Sequence, residues 1–174
     1  MTPQDINNNF QKTIAIWENL VDNYTDTEFA TKPGEDNWSI GQVCQHLINS
    51  ANNFAFINIE KCISGSENEQ ERKTESGEKD FAVNELPDIM VKVPPSLQHI
   101  PKQPESKQVV KNDFKLLQGR FRNVTDLVDK NVNTGKTKHP LLGFLNAVEW
   151  LQLVDMHFRH HLRQKERIDI FLKK

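Results

Sequence analysis

No apolar run in this chain approaches the roughly 20 residues a helix needs to cross a bilayer. Neither sign of charge prevails: 22 basic residues stand against 24 acidic ones, a net charge of −2. That balance argues against a basic nucleic-acid surface and against a polybasic membrane patch. The segment Met1-Thr2-Pro3-Gln4-Asp5 lacks the basic-then-apolar layout of a secretory signal, so a cytoplasmic location is expected. Cysteine is scarce, with Cys44 and Cys62 alone. Both fall on one expected helix, where they would lie roughly 27 Å apart. A disulfide needs Cα atoms within about 7 Å, so a continuous helix excludes the pair. Buried free thiols are the expectation.

What is present is helical. The 174 residues suit one domain with a core of its own. Four amphipathic stretches carry the pattern. The first runs from about Thr2 to Asp22, with Thr2 as cap, Pro3 at the first position, and Phe10, Ile14, Trp17, Leu20 and Val21 in helical phase. The second runs from Ser39 to about Ile63 and opens on a Ser39–Gln42 capping box. On it Ile40, Val43, Leu47, Ala51, Phe54 and Asn58 share a face. The third spans about Ser106 to Lys130 and the fourth about Phe144 to Leu172. Between the second and third, residues 64–106 lose all periodicity and hold five prolines from Pro87 to Pro104. A loop this long is usually functional or partly disordered, and as a functional loop it is expected to cover a site and select substrate. A short helix within Phe81–Met90 is allowed by the pattern. No strand or repeat is expected. The fold class is therefore all-α, a four-helix bundle over residues 1–174. Short 1–2 and 3–4 connections predict antiparallel neighbours, and the long crossover predicts parallel helices 2 and 3.

The six histidines separate by helical phase. At roughly 100° per residue, His157 and His161 both fall inside the apolar arc of the fourth helix, His160 at its edge and Gln164 inward. Arg159, Arg163, Asp155 and Glu166 fall on the far side. An i,i+4 histidine pair on one face can reach a single metal ion. Two imidazoles where leucines are expected call for a shared partner, because burying a polar ring alone costs a few kcal/mol. Either a metal or other polar groups in the core would supply it. His46 lies on the flank of the second helix's apolar arc, suited to the mouth of a cleft. His99 and His139 are expected to be solvated, with His139 near a bundle end.

Three motifs occur in order: Asn37-Trp38-Ser39-Ile40-Gly41-Gln42 running into His46, Leu141-Leu142-Gly143-Phe144 followed by Glu149-Trp150, and His157-Phe158-Arg159-His160-His161-Leu162-Arg163-Gln164. Together they resemble the DinB-like (DinB/YfiT) superfamily of metalloenzymes, over nearly the whole chain. The resemblance implies a four-helix bundle with the long crossover, often a homodimer, holding a divalent ion, commonly zinc or nickel. It places one ligand on helix 2 and an H-x-x-x-H pair on helix 4, which are His46, His157 and His161 here. Gln164 matches a polar position after the last ligand, expected to hold that ligand or face substrate.

Three neutral imidazoles would leave the metal charge uncancelled and an open position beside it. Zinc in such a site lowers the pKa of a water to about 7; a thiol there would be held as thiolate. The expected function is thus a metal-dependent hydrolase or a low-molecular-weight thiol S-transferase acting on a small molecule. No glutamate adjoins a ligand as in H-E-x-x-H, so no general base is identified. A non-catalytic metal-binding or stress-response module stays open as an alternative. So does a closed structural site with His160 or His139 as fourth ligand.

Overall fold

In the computed structural model, residues 1–88, 100–131 and 135–174 are described. Helix α1 (Pro3–Val21) opens on a reciprocal Thr2–Asp5 capping box. A short helix, α2 (Asp26–Ala30), follows and buries Phe29. The second rod is composite: α3 (Ile40–Ser50), a π-helical segment (Ala51–Ala55) and α4 (Phe56–Ser64). Ser39 caps it through the expected box with Gln42. Helix α5 (Glu75–Val83) is capped by Thr74. Helices α6 (Lys107–Lys130) and α7 (Ala147–Leu172) complete the bundle. No helix among the described residues is long and apolar enough to cross a membrane.

The four rods form a bundle, but not with the expected neighbours. Helix α1 packs on α6 and α7, and the α3–α4 rod packs on the same two. The first and second rods are therefore diagonal, as are the third and fourth. Contacts fix the directions. Thr13 meets Asp155 and Trp17 meets Phe158, so α1 and α7 run parallel. Gln4 meets Asp126 and Asp22 meets Lys111, so α1 and α6 run antiparallel. His46 meets His157 and Phe54 meets Trp150, so α3–α4 opposes α7. Rods two and three then point the same way, as the crossover requires. The Asp22–Ser39 and Asn131–Asn146 connections each carry an element of their own, which gives them the reach to cross a bundle end diagonally.

The core is aromatic at its centre. Phe10 stacks on Phe121 with centroids 4.0 Å apart, and Phe158 meets Phe10 edge-on at 5.1 Å. Trp17 is fully buried, and its Nε1–H donates to the Phe158 carbonyl at 3.1 Å. Rings of this size dominate burial energetics, and the indole donor is satisfied inside.

Four local features depart from the sequence pattern. First, the π turn adds one residue to the second rod. Past it the core positions are Ala55, Phe56, Ile59 and Cys62, while Phe54 is 40% exposed and Asn58 is half-buried. Second, two short strands appear where none was expected: β1 (Lys136–His139) and β2 (Gly143–Asn146) pair antiparallel. Gly143 has φ +81, and a Cβ there would meet Thr74 N at 2.5 Å, because residues 72–74 line the hairpin edge. Helix α7 accordingly begins at Ala147 rather than Phe144. Third, α5 lies earlier than the expected Phe81–Met90 helix; it ends where Asn84 turns left-handed at φ 54, and Met90 lies outside the described residues. Fourth, Asp155 is buried, at 2% exposure, rather than on the far side of α7. It accepts from the Thr13 hydroxyl at 2.8 Å and from Arg159 at 2.9 Å. Helix α7 is flanked by both α1 and α3–α4, so its buried arc is wider than one apolar face. The two cysteines are free and buried, and burial pushes the Cys44 thiol far up.

Candidate metal centre

The ridge of α3 and the facing ridge of α7 bring three imidazoles to one point. His46 Nε2 lies 3.2 Å from His157 Nε2, which lies 3.0 Å from His161 Nε2. The 157/161 spacing stacks two rings on successive turns of α7. Opposite them, His46 follows the Ser39–Gln42 cap by one turn, and Trp38 stands 4.9 Å from it, centroid to centroid. His161 is buried; His46 and His157 are half-buried and form the open side.

Proton bookkeeping shows what the cluster lacks. Gln164 Oε1 lies 2.7 Å from His161 Nδ1. An amide oxygen only accepts, so Nδ1 carries the proton and Nε2 presents a lone pair. His157 Nε2 holds at most one proton, yet two neighbouring nitrogens face it. With neutral rings, the two short contacts have at best one His157 proton to share between two acceptors; any other tautomer sets lone pair against lone pair or proton against proton. A cation among the three nitrogens satisfies all of them at once. Nitrogens bound at about 2.0–2.1 Å to one zinc stand roughly 3–3.4 Å apart, close to the separations here. The donor set therefore fits a divalent metal. Burial, reinforced by the neighbouring imidazoles, holds His157 well below the usual histidine range and His161 down to about 3. Both rings are neutral at neutral pH, as ligands must be.

No other histidine, cysteine or carboxylate among the described residues joins this group. His160 packs edge-on against His161 at 5.3 Å but stays outside it. Glu149 is held by Lys73 at the far end of α7, and Asp155 by Thr13 and Arg159. His139 is not solvated: it is half-buried between Phe54 and Trp150, with centroids at 5.8 and 5.6 Å. Its Nδ1 accepts from the Leu141 and Leu142 N–H groups at 3.2 and 3.1 Å. His99 lies outside the described residues, as does the middle of the loop expected to cover the site. The flanks of that loop are tied beside the histidines. Arg163 donates to the Leu86 carbonyl, and Gln42 donates to the Pro101 carbonyl at 2.8 Å.

The model of the DinB superfamily matches residues 9–164. Among solved structures, the chain resembles YfiT from Bacillus subtilis, described as a probable metal-dependent hydrolase with an unusual four-helix bundle topology. The two share 17% identity with a TM-score of 0.65, over 98% of this chain and 87% of that one. No curated protein matches the chain in sequence.

Proposed function

The chain belongs to the DinB superfamily, and on that premise we propose a metal-dependent enzyme that hydrolyses a small molecule, with His46, His157 and His161 holding one divalent ion, zinc or nickel. The observation that carries this reading is the meeting of three Nε2 atoms, one with its lone pair fixed by Gln164. When bound, the ion would supply Lewis-acid activation of a nucleophile. The protein's own part is to keep His157 and His161 neutral, to aim all three rings, and to bring no carboxylate among the described residues that would cancel the charge. Gln164 orients His161, and Trp38 walls one side of His46. The likeness to a protein described as a probable metal-dependent hydrolase points the same way.

The missing carboxylate favours a second reading, transfer to or from a low-molecular-weight thiol. A thiol, with a pKa of about 8.5, ionises on a cation without a base, whereas attack by water usually recruits one. A homodimer in the cytoplasm completes the proposal, and sedimentation tests the dimer. Metal analysis of protein purified without chelator should give close to one ion per chain, and His157→Ala should lose it. Parallel panels of esters, amides and thiol acceptors then separate hydrolysis from S-transfer. Protein that contains no metal and takes up none would overturn the reading; metal with no turnover in either panel would leave the non-catalytic module in its place.

A further inference from the structure

Two turns from the histidines, the same facing rods carry a second set of groups. Trp150 precedes His157 by seven residues on α7, about 10 Å along the axis and nearly in phase. On the opposing rod, Phe54 follows His46 by eight residues. In a regular α-helix that step would leave Phe54 about 80° out of phase; the extra residue of the π turn brings it back toward α7. Phe54 meets Trp150 edge-on at 5.2 Å and His139 at 5.8 Å. Trp150 is fully buried beneath them, its indole N–H held by Thr137 Oγ1 at 2.8 Å.

His139 is a preset donor. Two backbone N–H groups point at its Nδ1, so that nitrogen is the acceptor and Nε2 carries the hydrogen. The ring's hydrogen bonds among the described residues all go to Nδ1, and the residue is half-buried rather than sealed from solvent. A partly exposed aromatic ring beside an unused, fixed donor, on the same facing rods as the candidate metal ligands, is the chemistry of a recognition subsite.

We infer that Phe54 and His139 form the specificity shelf of this site, taking a planar or aromatic group of the substrate on Phe54 while His139 Nε2–H donates to an adjoining carbonyl or carboxylate oxygen. This rests on the proposed function for its role in turnover, but not for the binding itself. The shelf sits about two helical turns from the histidine nitrogens, so the substrate must span that length to reach both.

The test uses N-methylbenzamide, a flat ring with one carbonyl acceptor, titrated into the isotope-labelled full chain and followed by NMR at Phe54, His139 and the Trp150 indole N–H. Saturable shifts at these three groups are expected in the wild type. His139→Asn keeps an acceptor for the two turn N–H groups but draws the remaining amide donor back from the position of Nε2; Phe54→Ala removes the face at a partly exposed position. Each should weaken the apparent Kd at least fivefold. No shifts at these groups, or shifts of unchanged affinity in both variants, would overturn the shelf. Metal content is measured on the same samples. Metal-free protein that still binds the probe at the shelf would sink the metal reading and leave the shelf standing; metal-loaded protein that ignores the probe would do the reverse.

Discussion

Gln164 touches the outer nitrogen of His161 rather than the point where the three rings meet. Its amide oxygen, 2.7 Å from His161 Nδ1, decides which ring nitrogen faces the group. Groups that hold the far nitrogen of a histidine ligand typically govern 10–100-fold in metal affinity. Gln164→Leu should therefore weaken zinc binding by about that factor, read by competition with a chromogenic chelator, with the far-ultraviolet spectrum unchanged. His139 supplies a pH prediction. Burial lowers its pKa to about 4 from 6.5. The unfolded chain then binds this proton more readily, so stability falls with acid. The contribution is whole above pH 6.5 and is lost as pH falls through about 4. Denaturant midpoints of chelator-treated protein should drop over that window, and by less in His139→Asn. The histidines also show what phase arithmetic can read. It separates His157 and His161 from His160 because one helix face decides. It misplaces Asp155 because α7 has neighbours on two sides, and it leaves His139 in solvent because a turn, not a helix, buries that ring.

Among elements, the π turn has the largest consequence. It is equivalent to one residue inserted into an α-helix, and it explains why an apolar stripe drawn through Phe54 and Asn58 drifts while the true stripe passes through Phe56 and Ile59. Deleting Asn53 should restore a plain α-helix with both flanks in phase, keeping the fold to within about 1–2 kcal/mol of the parent and zinc affinity within a few-fold. Inserting an alanine after Asn53 should instead turn Phe56 and Ile59 about 100° out of the core. At about 1.5–3 kcal/mol per large side chain, that costs roughly 3 kcal/mol or more in chemical denaturation. The helices themselves were legible because Thr2, Ser39, Ser106 and the apolar periods all speak locally. Helix α2 was not read: Thr25 and Glu28 do form a capping box, but five residues are too few to show an apolar period. The hairpin carries no such signature: Lys136–His139 is short and polar, and its pairing depends on Gly143 fitting against residues 72–74.

At the scale of the molecule, a cation held by His46, His157 and His161, as proposed, would tie two rods otherwise joined mainly by packing. His46 and His157 are 111 residues apart in sequence. Binding to the folded state alone stabilises by RT ln(1 + [L]/Kd), about 4 kcal/mol when free metal exceeds Kd a thousandfold. Chelator should lower Tm by several degrees in the wild type and have no effect in His157→Ala, as scanning calorimetry would show. The neighbour order of the rods was not legible, because connections long enough to carry α2 or the hairpin do not fix which rods touch. That order has a further consequence, for synthesis. Helix α1 rests on α6 and α7, with Thr13 and Asp155 separated by 142 residues. The apolar ridge of Phe10, Ile14 and Trp17 has no lasting partner until those last helices are made. Such long-range closure slows folding relative to bundles built from adjacent hairpins. The chain thus cannot close its core before α6 and α7 have been made, and α1 is exposed to chaperones while it waits.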